Sequence, residues 1–440
     1  MRYIVVGGGP AGCAAAYTLQ KQGHEVDLFE ADDALGGRTR QIKIGDFSVG
    51  VGALFLMGGI YPRTTAILKE IGRHDDLVPW GGASELMDSD DSRYPVSFVD
   101  LLSYLKVPRL TLGDRINIAW MGIKLFLSSG AKNPFDGEDL ARYDHGDNLE
   151  GFARKEMGDR GYEYIIRPLF DFLYAVPPSW LSTPFPIAII QQAFKMKLSV
   201  PPEGPVQVSE WMIEASRNVE VNLSTPVTRI SRQDDSYVVE AAGQRYRADG
   251  LVVATEAFTA AGLMRDFIST DSHDKLENAP YTDYAHVQIG YKKNPWPDYP
   301  ADIVLPVGYG EGPRPVGALV LQSRRQVSAV PPGGELVGVY FTTPPLEHMS
   351  DEDIKREALD TVHRAFGEPS EKPEFVELFH YDKGLNIAKP GAYGTLDAMR
   401  RELPPGIVLA GDYFAQAGIE AAVFSGERAA NQLMGAGGSG

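Results

Sequence analysis

The sequence predicts an α/β fold, and three local patterns predict it. Arg2 to Val6 (RYIVV) reads as a short buried strand with no polar face, and it runs straight into Gly7-Gly8-Gly9-Pro10-Ala11-Gly12. The helix formers Ala14, Ala15, Ala16 and Leu19 follow. After a break at Gly23, Glu25 to Phe29 (EVDLF) reads as a second strand, which Glu30 ends. A G-x-G-x-x-G run is weak by itself. Between a strand and a helix, with an acidic residue 18 positions past its last glycine, it marks a dinucleotide-binding βαβ unit.

Each position in that unit has a physical role. Gly7 permits the tight turn, Gly9 lets the backbone approach a pyrophosphate, and Gly12 allows close helix–strand packing. The pyrophosphate then lies on the positive end of the helix dipole, with free N–H groups pointing at it. Glu30 accepts hydrogen bonds from ribose hydroxyls, and its carboxylate would repel a 2′-phosphate. A second match to the glycine pattern, Gly435 to Gly440, follows no strand and reads as a flexible tail over 435–440.

Composition bounds the rest. The chain has 440 residues, 43% hydrophobic and 23% charged, which points to two or three globular domains or one with a long insertion. Its formal charge of −17 repels phosphate backbones, so no nucleic-acid partner is expected. The single cysteine, Cys13, can form neither an internal disulfide nor a thiolate metal site, so no metal is expected and a reducing, cytoplasmic location is. The first strand begins within two residues of Met1, which leaves no room for a signal peptide. The most apolar stretch, Ile116 to Leu127, is interrupted by Asn117 and Lys124 and does not read as a membrane span. It is a secondary candidate for contact with a membrane surface.

After Glu30 comes Ala34-Leu35-Gly36-Gly37-Arg38-Thr39. The run from Gly7 to Arg38 resembles the flavoprotein superfamily that includes monoamine and polyamine oxidases, protoporphyrinogen oxidases and phytoene desaturases. The resemblance implies non-covalently bound FAD, with the Gly37-Arg38 loop over the pyrophosphate. A guanidinium suits that task because it reads phosphate oxygens through two parallel hydrogen bonds. Near the other end, the strand Gly406 to Ala410, then Gly411-Asp412, then Gly418 to Ala430 resembles the family's C-terminal FAD segment. This implies that Asp412 bonds the ribityl or pyrophosphate end and that the backbone N–H of Ile419, at a helix N-terminus, faces the flavin pyrimidine. Strands at 219–223, 227–230, 237–241 and 251–255 resemble the middle FAD segment, with Val227 at the adenine.

The implied fold is a discontinuous Rossmann-like FAD-binding domain of the glutathione-reductase type with an inserted α+β substrate domain. Residues 1–75, 196–264 and 386–434 are assigned to the first, and 76–195 with 265–385 to the second. The phrase Pro168 to Ser182 (PLFDFLYAVPPSWLS) resembles the protoporphyrinogen-oxidase branch more than the amine-oxidase branch.

No second strand–G-x-G-x-x-G–helix unit exists, which argues against a nicotinamide domain. Gly52, Ala53 and Leu54 instead fall where the family's chain passes beside the flavin ring. Three departures from the amine oxidases stand out. Counting back ten from Trp296, where a lysine is usual, gives His286. The aromatic cage positions fall at Gly384 or Leu385 and at Gly418, and the acidic residue before the wall glycines is Ser48.

The expected chemistry is therefore transfer of a hydride from an apolar or cyclic small molecule onto flavin N5, as in protoporphyrinogen oxidases or desaturases. Electrons pass on to O2 or to a carrier. The alternatives are an amine or amino-acid oxidase with an atypical cage, or a flavin-dependent isomerase without net redox turnover. His286 is the leading candidate base because imidazole titrates near neutrality. Tyr393 and His380 follow it. Phe170, Phe172, Tyr174 and Trp180 are candidates either for an apolar pocket or for core packing.

Overall fold

In the computed structural model, which describes residues 1–81, 83–97 and 100–437, Arg2–Val6 lies in the middle of a five-stranded sheet. The strands run in the order Val219–Asn222, Glu25–Phe29, Arg2–Val6, Gly250–Val253 and Ile407–Leu409, with every pair parallel. A central parallel strand is covered on both faces, which explains why it has no polar side in sequence. Helices Pro10–Lys21 and Ile419–Gly437 pack against one another beside this sheet. They approach closely because Gly426 faces the first helix, where a Cβ would lie 2.0 Å from the Ala11 carbonyl oxygen. A three-stranded antiparallel sheet, Val227–Gln233, Ser236–Ala241 and Gln244–Ala248, is inserted before Gly250–Val253.

A second, mixed sheet has seven strands in the order Phe375–Asn386, Tyr281–Tyr291, Glu335–Phe341, Val316–Leu321, Ile303–Pro306, Ala83–Met87 and Arg93–Ser97. Its central strands Glu335–Phe341 and Val316–Leu321 are buried along their whole length. Helix Asp351–Phe366, started by a Ser350–Asp353 capping box, places Ile354, Ala358 and Val362 in the core that this sheet shares. Helices occupy most of 101–195.

The five-stranded sheet draws its strands from residues 2–29, 219–253 and 407–409, and the seven-stranded sheet from 83–97 and 281–386. Residues 435–437, expected in a tail, extend the last helix to Gly437, because nothing in Gly435-Ala436-Gly437 interrupts its hydrogen bonding; 438–440 lie outside the described residues. Among the described residues no helix is long and apolar enough to cross a membrane.

Candidate active site

A cavity of about 910 Å³ lies where the two sheets meet. Its first half is built from the glycine loop. Gly7 adopts a φ of +106°, and a Cβ there would lie 2.8 Å from the Ala254 carbonyl oxygen, so only glycine turns the chain at this point. A Cβ on Gly12 would lie 1.8 Å from the Gly7 oxygen, so this residue sits beneath the loop and does not line the cavity. Gly9, by contrast, has open space where its Cβ would stand, and it lines the cavity beside Pro10 and Ala11 at the helix start. The helix has no side-chain cap, which leaves its first N–H groups free to meet an anion.

Glu30 closes the second strand on the same cavity, accepting from the Gly8 N–H at 2.5 Å and the Asp32 N–H at 2.8 Å. Opposite lies Arg38, whose Nη2 donates to both carboxylate oxygens of Asp412 at 2.8 and 2.9 Å. Burial opposes the charge on Arg38, but Asp412 more than offsets it and holds the guanidinium above its ordinary value. Gly411, Asp412 and Ile419 line the wall where the last helix begins, and Gly37, Val227, Ala53 and Leu54 line it too. The segment carrying Ala53 is pinned to the Arg38 backbone: its N–H donates to the Arg38 oxygen at 3.1 Å, and a Cβ on Gly52 would lie 2.4 Å from the same atom.

The second half comes from the mixed sheet, the helical region and the 55–61 segment. Phe55, Met57, Tyr61, Phe172, Leu173, Tyr174, Tyr284, Tyr340, Phe379 and Leu385 line it. Strand register assembles its ceiling, since His286 pairs with Tyr340 on one side and Phe379 on the other, which puts three rings on one rung. The imidazole is stacked between them, 5.6 Å from Tyr340 and 4.9 Å from Phe379, centroid to centroid. Most charged lining groups, Glu30, Asp32, Arg38, Arg40, Glu256 and Asp412, belong to other segments, whereas Asp382 and Lys383 lie on the 375–386 strand between Phe379 and Leu385, with the Lys383 ammonium over the Phe258 ring.

His286 is fully buried and does not line the cavity. Its Nε2 lies 3.0 Å from the Val51 carbonyl oxygen, which can only accept, so Nε2 carries the proton. Nδ1 then accepts from the Gln288 amide at 2.8 Å. The chain continues through Gln322, which donates to Gln288 Oε1 at 2.6 Å, and Arg325, which donates to Gln322 Oε1 at 2.6 Å. Arg325 also donates to the Leu54 carbonyl oxygen. The relay therefore grips the wall segment at both ends, Val51 and Leu54. Burial pushes the imidazole down to about 4, and both ring nitrogens are already engaged. Arg325 is buried and makes no ion pair among the described residues; burial draws it down to about 10, which leaves it a cation at neutral pH.

Other candidates fall outside the cavity. His380 is on the surface with Nδ1 3.7 Å from Asp351, and Tyr393 is buried against Gln416 at 3.5 Å. Of the aromatic candidates, Phe172 and Tyr174 reach the cavity, whereas Phe170 and Trp180 pack in the core. Cys13 is buried beneath the loop, its thiol pushed up to about 12 by desolvation, so it is a packing residue. Sequence reasoning missed Tyr284, Tyr340 and Phe379, whose only signal was apolar alternation on strands of unknown partnership.

The fold and cavity define a dinucleotide-dependent α/β enzyme with an apolar chamber attached. The chain belongs to the family of flavin containing amine oxidoreductases, whose sequence pattern matches residues 10–434. A coproporphyrinogen III oxidase of Mycobacterium tuberculosis (strain ATCC 25618 / H37Rv) is 24% identical over 462 residues, covering 98% of this chain and 97% of that protein. A 4,4'-diapophytoene desaturase of Staphylococcus aureus (strain MRSA252) is 40% identical over 62 residues, which is 14% of this chain and 12% of that one. The fold matches cyclohexylamine oxidase from Brevibacterium oxydans IH-35A with a TM-score of 0.75 and 18% identity over 98% of both chains. The protein is an FAD-dependent oxidoreductase, and its glycine loop, Arg38–Asp412 pair and two helix N-termini fit a charged dinucleotide.

Proposed function

We propose that this enzyme dehydrogenates an apolar or cyclic small molecule in the manner of a protoporphyrinogen oxidase or desaturase. The five-stranded sheet is read as a Rossmann-like domain of the glutathione-reductase type. Gly9, Glu30, Arg38, Val227, Asp412 and the Ile419 N–H would hold FAD, which supplies a hydride acceptor at N5 and passes electrons to O2 or a carrier. The observation that carries the reading is the group of ten aromatic or aliphatic side chains, from Phe55 to Leu385, that line the second half of the cavity.

That half can flatten and orient a ring system through apolar contact. Burial raises the phenols of Tyr174, Tyr284 and Tyr340, so none of them is a base near neutrality. His286 is better suited to positioning than to proton transfer, because the wall segment lies between its ring and the cavity and its Nδ1 already accepts a hydrogen bond. A substrate that loses a hydride without help from a side-chain base fits this chamber best.

The test is an anaerobic titration of the purified holoenzyme with neutral cyclic compounds, polyenes and amines, following the oxidised flavin band near roughly 450 nm. Bleaching by the neutral compounds, with a product lighter by two hydrogens, is expected. Bleaching by amines alone would replace this reading with an amine oxidase, and a product of unchanged mass would make it an isomerase.

A further inference from the structure

The cavity accounts for the buried aromatic residues but not for a group of apolar side chains that face outward. Helix Leu112–Leu127 begins at a capping box formed by Thr111 and Asp114, so it is well defined from its first turn. Only Met121 and Leu125 of this helix are buried. Leu112, Ile116, Trp120, Ile123, Phe126 and Leu127 recur at helical spacing along the opposite side and are exposed, from 49% for Ile123 to 78% for Phe126. Phe194 adds to the patch at 73% exposure. It follows the helix whose Gln191 bonds the Leu125 carbonyl oxygen at 2.8 Å, next to the end of the outward-facing helix. A monomeric surface rarely leaves so many large apolar groups contiguous.

Charge says what covers them. Residues 101–132 hold five basic residues, Lys106, Arg109, Arg115, Lys124 and Lys132, against one acidic residue, Asp114, in a chain whose total charge is −17; of these, Arg109 pairs with Asp88 and Asp90 and Lys124 with Glu156. Lys195 and Lys197 flank Phe194 on the other side with no acidic residue between 184 and 200. Lys106, Lys132, Lys195 and Lys197 are exposed and make no ion pair among the described residues. A basic fringe around a Trp-, Phe- and Leu-bearing helix face complements an anionic lipid surface, where the rings enter the acyl boundary and the ammonium groups meet the headgroups. A second copy of the chain joined through the same face would instead set like charges opposite one another.

We propose that this face is a docking surface for anionic lipid, holding the enzyme on one side of a bilayer without crossing it. The position is functionally apt. The strand Lys197–Val200, just past Phe194, pairs with Leu56–Gly58, and Met57 lines the cavity. The docking surface stands on its own evidence whatever the substrate proves to be.

Flotation of the purified holoprotein with two kinds of vesicle tests it: phosphatidylcholine alone, and phosphatidylcholine with phosphatidylglycerol at about a third of the lipid, the anionic share that supplies the surface potential. The expected result is co-flotation with the anionic vesicles, weakened by salt. The triple variant W120S/I123S/F126S should lose at least ~10-fold in partitioning while keeping its flavin band, since these side chains are exposed. The double variant K106E/K132E, which leaves the apolar face intact, should lose a similar factor of ~10. Val327→Ser, which removes an exposed apolar group elsewhere, should change nothing. Wild-type protein that stays below both vesicle types, or a triple variant that floats like wild type, would overturn the proposal. So would a dimer in sedimentation velocity that the triple variant dissolves.

Discussion

The two halves of the cavity solve opposite problems. The glycine-loop half holds charge: a bidentate Arg38–Asp412 pair, Glu30, and the unsatisfied N–H groups of helix starts. The second half holds shape, with rings from three strands of the mixed sheet, from helix 167–174 and from the 55–61 segment. The first kind of recognition depends on a few backbone positions that tolerate no substitution. The second is spread over many side chains, each of which matters less. Variants that affect one half and spare the other are the way to break that comparison.

Gly12→Ala should have the largest effect. Its Cβ would meet the Gly7 oxygen at 1.8 Å, so the helix must move away from the loop and purified protein should carry no flavin absorbance. Retention of bound flavin at the wild-type ratio would contradict the packing described here. Arg38→Ala comes next. It removes the guanidinium and leaves Asp412, 6% exposed, without its partner. Equilibrium titration should show FAD affinity falling by about 10- to 100-fold, the range of lost charge-assisted hydrogen bonds. Arg38→Lys should recover only part of this, because an ammonium lacks the planar fork with which a guanidinium reads phosphate oxygens.

A truncation in the second half should behave differently. Phe172→Ala is expected to raise KM for an apolar substrate by roughly 10-fold, the scale of one buried ring's contacts, with flavin content unchanged. If flavin is lost as well, the two halves are not independent.

His286→Gln should move activity least. A positioning residue predicts kcat within about fivefold of wild type, whereas loss of a general base costs about 100-fold or more. Its signature lies in stability. The native imidazole is held neutral to about pH 4, while the unfolded chain binds a proton near the ordinary imidazole value of 6.5. The stability that neutral His286 brings is thus present above pH 6.5 and is lost as the pH falls from there toward 4, by about 3 kcal/mol in all. Denaturant midpoints of the variant should fall less steeply over that window. Comparing the two proteins cancels Glu420 and Asp171, whose carboxyls burial raises to about 7 and whose contributions run the opposite way with pH.

How much of this was legible beforehand follows the same division. The glycine loop, Glu30, Gly37-Arg38 and the Gly411–Ile419 segment could be read as motifs because each is a short run of chain whose local geometry is its function. A helix N-terminus or a turn at positive φ imposes the same residues wherever it occurs. His286 was legible as a position but not as a role. Its neighbours in space, Phe379, Tyr340 and Val51, are far away in the chain, and only strand register brought them together. Those same contacts buried the ring and tied it to the Val51 carbonyl of the wall segment.

Short-range patterning alone therefore established the α/β class and the dinucleotide loop. Pairing between distant strands settled what the chamber is lined with, which groups are buried and which helix face stays outside. The physical reason is that periodicity records whether a side chain is covered, while the identity of what covers it depends on register and packing, which local sequence does not encode.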